Sequence, residues 1–263
     1  MNPRERALGV LTLTDPAEKA LQARALFDAL DPATIDPQAV FADPGGLPGR
    51  PDRPHLRPAR EVPSRSPFTP EGRAALIHSI AHIEFNAINL ALDAAFRFPG
   101  MPVAFYVDWL RVASEEALHF GLLRTHLQSL GFDYGDFDAH DGLWQMTQRT
   151  AGDVLARMAL VPRTLEARGL DATPPLQAKF AKAGDPRAVE ILAIILRDEV
   201  GHVAIGNHWY RWLCRRDGFD PIAHYPVLAD RYEAPKIRPP FNVEARTAAG
   251  FTAEEIAFLT ERA

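Results

Sequence analysis

From residue 69 to about residue 213 the apolar positions recur every three or four residues, the period of helices that bury one face. Thr69-Pro70-Glu71 is a start signal: a capping hydroxyl, proline at the first position and an acid in the first turn. The first long helix then runs to about Phe98, before Pro99-Gly100, with Ile77, Ile80, Glu84, Ala87 or Ile88, and Ala91 as its buried stripe. A second runs from about Pro102 to Leu130 and stops at Gly131; its stripe includes Val103, Leu110, Ala113, Glu116, His119 or Phe120, Leu123 and Leu127. The turn between them is short, so the two are antiparallel neighbours. A third is expected from about Asp141 to Arg168, kinked at Pro162 and ended by Gly169, with a short helix near 176–182 after Pro174-Pro175. Asp185-Pro186 starts the fourth, carrying Leu192, Ile195 or Leu196, Glu199, His202 or Val203, Gly206 and Leu213 inward. Gly201 and Gly206 inside it each cost about 1 kcal/mol against alanine, which the close approach of a neighbouring helix or a ligand would explain.

The flanks read differently. Residues 15–30 form an accessory helix, capped by Asp15 or Thr14, with Pro16 in its first turn and Leu21, Ala25, Leu26 and Leu30 as its apolar stripe. Residues 43–70 hold eight prolines and five arginines, a composition that excludes helix and favours extended chain. This segment is either a strap laid on the domain or a basic arm for a partner. Residues 219–247, with Tyr225-Pro226, Pro235 and Pro239-Pro240, are expected to be irregular, and Thr252 with Glu255 makes a capping box for a last short helix. The division expected is residues 1–68 as helix and strap, 69–218 as an all-α four-helix bundle, and 219–263 as an irregular C-terminal tail with that helix.

Composition narrows the function classes. A net charge of −5 over 263 residues gives no global attraction to nucleic acid or to an anionic membrane. The one cysteine, Cys214, excludes an intrachain disulfide and a thiolate-built metal site. The N-terminus lacks the apolar core of a signal peptide, and no apolar run is long enough to span a bilayer, so a cytoplasmic protein is expected.

The chemistry sits where the apolar stripes are interrupted. Glu115-Glu116-Ala117-Leu118-His119 and Asp198-Glu199-Val200-Gly201-His202 are two copies of one pattern, acid-Glu-x-x-His, 83 residues apart. Residues i and i+3 share a helix face, so Glu116 with His119, and Glu199 with His202, can grip one object. Glu84 lies fourteen residues before Phe98 and Glu116 fourteen after Pro102, which puts both at one height, about 21 Å from the turn. On the third helix the matching acid is Glu166, with Asp153 as a substitute: Glu84 to Glu116 is 32 residues and Glu166 to Glu199 is 33. Four Glu and two His form the ligand set of ferritin-like di-iron and di-manganese bundles. Four carboxylates balance two divalent ions, so such a cluster can be buried where bare charges cannot. The oxygen and imidazole donors suit iron or manganese, or a mixed pair. Glu115 and Asp198 are candidates to accept the second N–H of the histidines, or else to make surface ion pairs. His78 and His82, beside Glu84, are placed on a flank of the first helix.

Longer runs carry a resemblance. His82-Ile-Glu84, Asp108 through Phe120, His140 through Trp144, Ala156 through Arg163, Leu165 through Asp171 and Asp198 through Asn207 resemble the DUF455 family of ferritin-like proteins over nearly the whole chain. The resemblance implies a di-iron centre that reacts with O2, distantly similar to MiaE-like tRNA hydroxylases and to rubrerythrins, and gives no substrate. The single cysteine excludes the cysteine-rich electron-transfer domain of many rubrerythrins, and Arg163 and Gly169 stand where their extra third-helix glutamate would be. Tyr106 is about 15 Å along its helix from Glu116, far for a radical-bearing tyrosine. What survives best is an O2-dependent oxidase or hydroxylase of a small organic molecule, with two Fe ions and an external electron donor, in a chain that could form a homodimer. Arg231, Arg238, Asn242 and Arg246 are then candidates for polar contacts at the substrate entrance, or for pinning the tail. The alternatives are a non-catalytic metal- or partner-binding protein and a tRNA-modifying hydroxylase.

Overall fold

The computed structural model describes residues 1–63 and 65–261. The described chain is all-helical, and its β pairing is one isolated bridge between Leu56 and Ala139. It divides into two compact units: unit 1 is residues 1–144 with 183–191, and unit 2 is residues 145–182 with 192–263.

Unit 1 is built on α3 (Pro70–Arg97) and α4 (Val103–Ser129). Thr69 Oγ1 accepts from Gly72 N at 3.1 Å, with Pro70 at the first position, as the start signal requires. Gly100 at φ +79° and Gly131 at φ +85° end the two helices in the left-handed region where glycine carries no steric cost. α3 is long and apolar enough to cross a bilayer, contrary to the expectation that no such run exists, but 78% of its apolar window is buried inside the protein.

Two N-terminal helices pack on this pair. α1 (Pro3–Thr12), which the sequence pattern does not announce, is capped by the Asn2 side chain and starts with proline. α2 (Pro16–Asp28) is capped by Asp15, but its inward face is Lys19, Ala20, Ala23 and Leu26, and Leu21 is 60% exposed. The expected stripe is therefore rotated, and the cause is Lys19. Its ammonium donates to Leu11 O, Gly49 O and Asn89 Oδ1 at 3.1, 2.7 and 2.7 Å, so a buried cation has all three protons used. Burial, helped by Arg50, pushes its pKa down to about 7.

The proline-rich strap is fastened to unit 1 itself. Gly49 N donates to Leu11 O, Arg57 N to Ala139 O, and Ala139 N to His55 O. Arg50 pairs with Asp141 at 2.7 Å, and Arg57 pairs with Asp138.

In unit 2 the expected third helix is in pieces. α5 (Gly142–Arg149), whose first three residues belong to unit 1, ends at a break over 150–153. α6 (Val154–Leu160) restarts on Asp153, whose Oδ1 caps Ala156 N at 2.9 Å and whose Oδ2 accepts from Tyr232. Both Asp153 oxygens are thus engaged at the helix start. Val161–Glu166 then winds as a π-helical turn in place of a simple kink at Pro162, with Thr164 Oγ1 reaching back to Ala159 O.

α7 (Ala167–Lys182) does not stop at Gly169 and runs through Pro174-Pro175. A proline at 174 leaves the carbonyl of Leu170 without its helical donor, and Asn242 Nδ2 supplies the replacement at 3.1 Å. α8 (Pro186–Asp217) begins in unit 1 and continues in unit 2.

The tail is irregular over 232–242, as expected, but helices that were not expected flank that stretch. α9 (Pro221–Arg231) is capped by Asp220, which accepts from Ile222 N and Ala223 N; Pro226 sits inside it. α10 (Val243–Ala248) is capped by Asn242. α11 (Ala253–Glu261) has the expected capping box, Glu255 N to Thr252 Oγ1 at 3.1 Å and Thr252 N to Glu255 Oε2 at 2.8 Å. The core here is Ala167, Leu170, Val203, Ile237, Ala249, Phe251 and Leu259.

The two α8 glycines part ways. A Cβ on Gly206 would meet Pro162 Cβ at 2.6 Å, so the π-helical turn is the close neighbour that excludes a side chain; a Cβ on Gly201 meets nothing within 4 Å. Gly206→Ala is expected to lose about 1–3 kcal/mol by overpacking, and Gly201→Ala to gain up to about 1 kcal/mol of helix propensity. Urea unfolding of the two metal-free variants should give opposite signs; equal signs would refute this account.

Candidate metal centre

The antiparallel pairing of α3 with α4 brings together the residues that counting placed at one height. His119 Nδ1 lies 3.1 Å from Glu84 Oε2 and 3.3 Å from Glu116 Oε2. All three residues are buried, Glu116 and His119 completely. Two carboxylates on separate helices converge on one imidazole. Oxygen or nitrogen donors about 2.1 Å from one cation, at angles between octahedral and tetrahedral, stand about 3.0–3.4 Å apart. The observed separations fall in that interval. Two carboxylates buried beside one histidine are a donor set whose negative charge a divalent cation could offset. Glu84, Glu116 and His119 could therefore hold a metal ion.

Unit 2 carries the second copy on α8. Glu199 and His202 are both buried, and Glu199 Oε1 lies 3.8 Å from His202 Nδ1. Glu166 ends the π-helical turn and is half-buried. Each copy of Glu-x-x-His thus presents its two donors on one face, as the i, i+3 spacing requires.

The acids before each motif differ. Asp198 accepts from Arg197 Nε and Nη2 at 2.8 and 3.1 Å, while Glu115 is half-buried on α4. Arg246 is fully buried and pairs with Asp171 at 2.6 Å, and Asn242 is engaged with α7, so both fasten the tail within unit 2. Arg231 lies over its neighbour Tyr232, and Arg238 is exposed.

His78 and His82 are buried on α3 and build a network around Tyr134, which nothing in the Gly- and Asp-rich run 131–140 singles out. His82 Nδ1 lies 2.8 Å from the Tyr134 hydroxyl, and the Tyr134 ring packs on Phe85 and Phe120, the residues next to Glu84 and His119. Burial pushes the Tyr134 phenol up and His82 down to about 3.

His78 Nε2 accepts from Gly135 N at 2.9 Å, which fixes the ring as neutral with its proton on Nδ1. Burial, opposed by Asp136 and Asp133, lowers its pKa from 6.5 to about 4. Below pH 6.5 the unfolded chain takes up a proton that the folded chain refuses, so stability falls with pH from 6.5 until about 4. The loss is on the order of 3 kcal/mol. Urea midpoints of the metal-free protein between pH 7 and 4.5 should drop more steeply than those of His78→Gln; parallel slopes would rule this origin out.

A family model described as "Protein of unknown function (DUF455)" matches residues 12–257. A protein of Haemophilus influenzae, described as an uncharacterized protein, is 48% identical over 267 residues, spanning 99% of this chain and 90% of its own length. No solved structure matches the chain.

Proposed function

Because the chain belongs to the DUF455 family and buries two carboxylates against one histidine in unit 1, we propose that it is a ferritin-like, dinuclear-metal oxidoreductase. The metal is iron, and the activity is O2-dependent oxidation or hydroxylation of a small organic substrate, with electrons from an external donor. The observation that carries this reading is the convergence of Glu84 Oε2 and Glu116 Oε2 on His119 Nδ1 at metal-ligand spacing.

The sequence repeat extends the proposal to Glu166, Glu199 and His202 as ligands, since a carboxylate-bearing stretch followed by Glu-x-x-His occurs twice in the chain. When bound, two irons supply the electrons that reduce O2. The chain's own groups do the rest. The carboxylates neutralise and space the ions, and the histidines leave the donor set uncharged enough to be buried. Glu115 and Asp198 are assigned to steady the histidine rings. Complete burial of Glu116, His119 and His202 keeps bulk water from the donors.

The test is metal analysis of the purified full chain, followed by anaerobic Fe(II) titration and the optical spectrum on adding O2. Two irons per chain and an oxygen-sensitive absorption are expected. Failure to bind any iron under anaerobic titration would overturn the proposal.

A further inference from the structure

We propose a second ligand site on unit 1, a groove that takes a small amphipathic organic anion. It lies between α2, α4 and the start of α8 and has a volume of about 550 Å³, within the range of about 300–1,000 Å³ usual for small-molecule sites. At about 100° per residue, Leu118, Gly121 and Leu122 of its floor lie on the side of α4 turned away from Glu116 and His119. The groove is therefore separate from the metal donors, and the inference stands whether or not they bind iron.

Gly121 is the first pointer. It sits in the interior of a 27-residue helix, where glycine costs about 1 kcal/mol against alanine. A Cβ there would meet nothing within 4 Å, so the backbone at this point of the groove floor is open to a ligand. This contrasts with Gly206, whose missing side chain makes room for Pro162. A bare backbone on a groove floor suits the close approach of something that is not part of the chain.

Charge is the second pointer. Arg24 from α2 and Arg187 from the first turn of α8 both line the groove, on a chain whose net charge is −5. The Arg187 pair with Glu190 at 2.9 Å is solvent-exposed, and a ligand can displace it at little cost. Ser129 and His126 line the same groove. The His126 ring is held by Asp185, whose two oxygens lie 2.9 and 3.0 Å from Nε2, and its Nδ1 faces Ser129 Oγ at 3.4 Å. Asp185 is fixed in turn by capping Ala188 N. The ring is thus oriented before any ligand arrives. Together these groups suit an anionic head between the arginines and a short hydrocarbon body over Leu118, Gly121 and Leu122.

Calorimetry on the full chain tests this with three probes below their micellar concentrations: decanoate, decyl phosphate and decanol. At least one anion should bind, with decanol about tenfold weaker or more, and the stronger anion identifies a carboxylate or a phosphate head. Exposed Arg24→Ala and Arg187→Ala should each weaken the anion by about tenfold, the loss of one charge-assisted contact. Gly121→Leu should abolish binding while the thermal melt is unchanged or raised. The proposal is overturned if no anion binds, if decanol binds as well as the anions, or if both arginine variants retain full affinity.

Discussion

Glu84→Gln and Glu116→Gln should each strip at least one metal ion from the chain and, in the metal-free protein, raise the melting temperature. The two effects have opposite signs for one reason. Both carboxylates are buried, so without a cation their charges are desolvated and held close to each other through His119. Glutamine keeps the shape and removes the charge, for a gain of about 1–3 kcal/mol in the metal-free state. It is also a far poorer ligand for a hard cation than a carboxylate. In the metal-loaded wild type, an ion that binds only the folded state adds about 2.7 kcal/mol at a concentration a hundredfold above its Kd, and the variants forfeit that gain. Metal stoichiometry with paired thermal melts, with and without Fe(II), checks both signs. A fall in metal-free stability on substitution would mean that these carboxylates hold the fold together and are not waiting for a cation.

Arg163→Ala should cost about 3–5 kcal/mol, the largest effect expected from a single substitution outside the metal donors. Arg163 is buried within the π-helical turn, where burial lowers its pKa against the pull of Glu255. Its guanidinium donates to Glu255 Oε1 at 2.9 Å and to Asn207, and its face stacks over Phe251, with Tyr210 and Tyr225 nearby. Glu255 also takes Arg211 and closes the α11 capping box, so one carboxylate joins three elements of unit 2. Removing Arg163 leaves a cavity and strips Glu255 of a buried partner. Lysine should not restore stability, because a single ammonium cannot serve Asn207, Glu255 and an aromatic face together. Urea unfolding would read the loss, with Arg60→Ala, 86% exposed on the strap, as a control near zero. A cost for Arg163→Ala below about 1 kcal/mol would show that the turn does not depend on this pair.

α3 and α4 could be read almost residue by residue. Their starts and stops are local chemistry, a threonine cap before proline at one end and glycines of positive φ after the other, and their inward faces repeat at the helical period. The meeting of Glu84 with Glu116 followed from the same locality, since a short turn between antiparallel helices converts sequence distance directly into height. The Glu-x-x-His pairs were legible for that reason too.

The pieces of the third helix were not. Pro174-Pro175 reads as a stop, and α7 passes through it because Asn242, 72 residues after Leu170, donates to the Leu170 carbonyl that Pro174 abandons. Pro226 and its neighbours read as irregular chain, yet Asp220 caps a helix there. Leu21 reads as part of the apolar stripe, yet it is exposed and Lys19 is buried, because Leu11 O, Gly49 O and Asn89 Oδ1 converge on one ammonium. A local pattern carries propensity and period. Which polar group is buried depends on where its hydrogen-bond partners lie, and those partners are brought within reach only when distant segments pack.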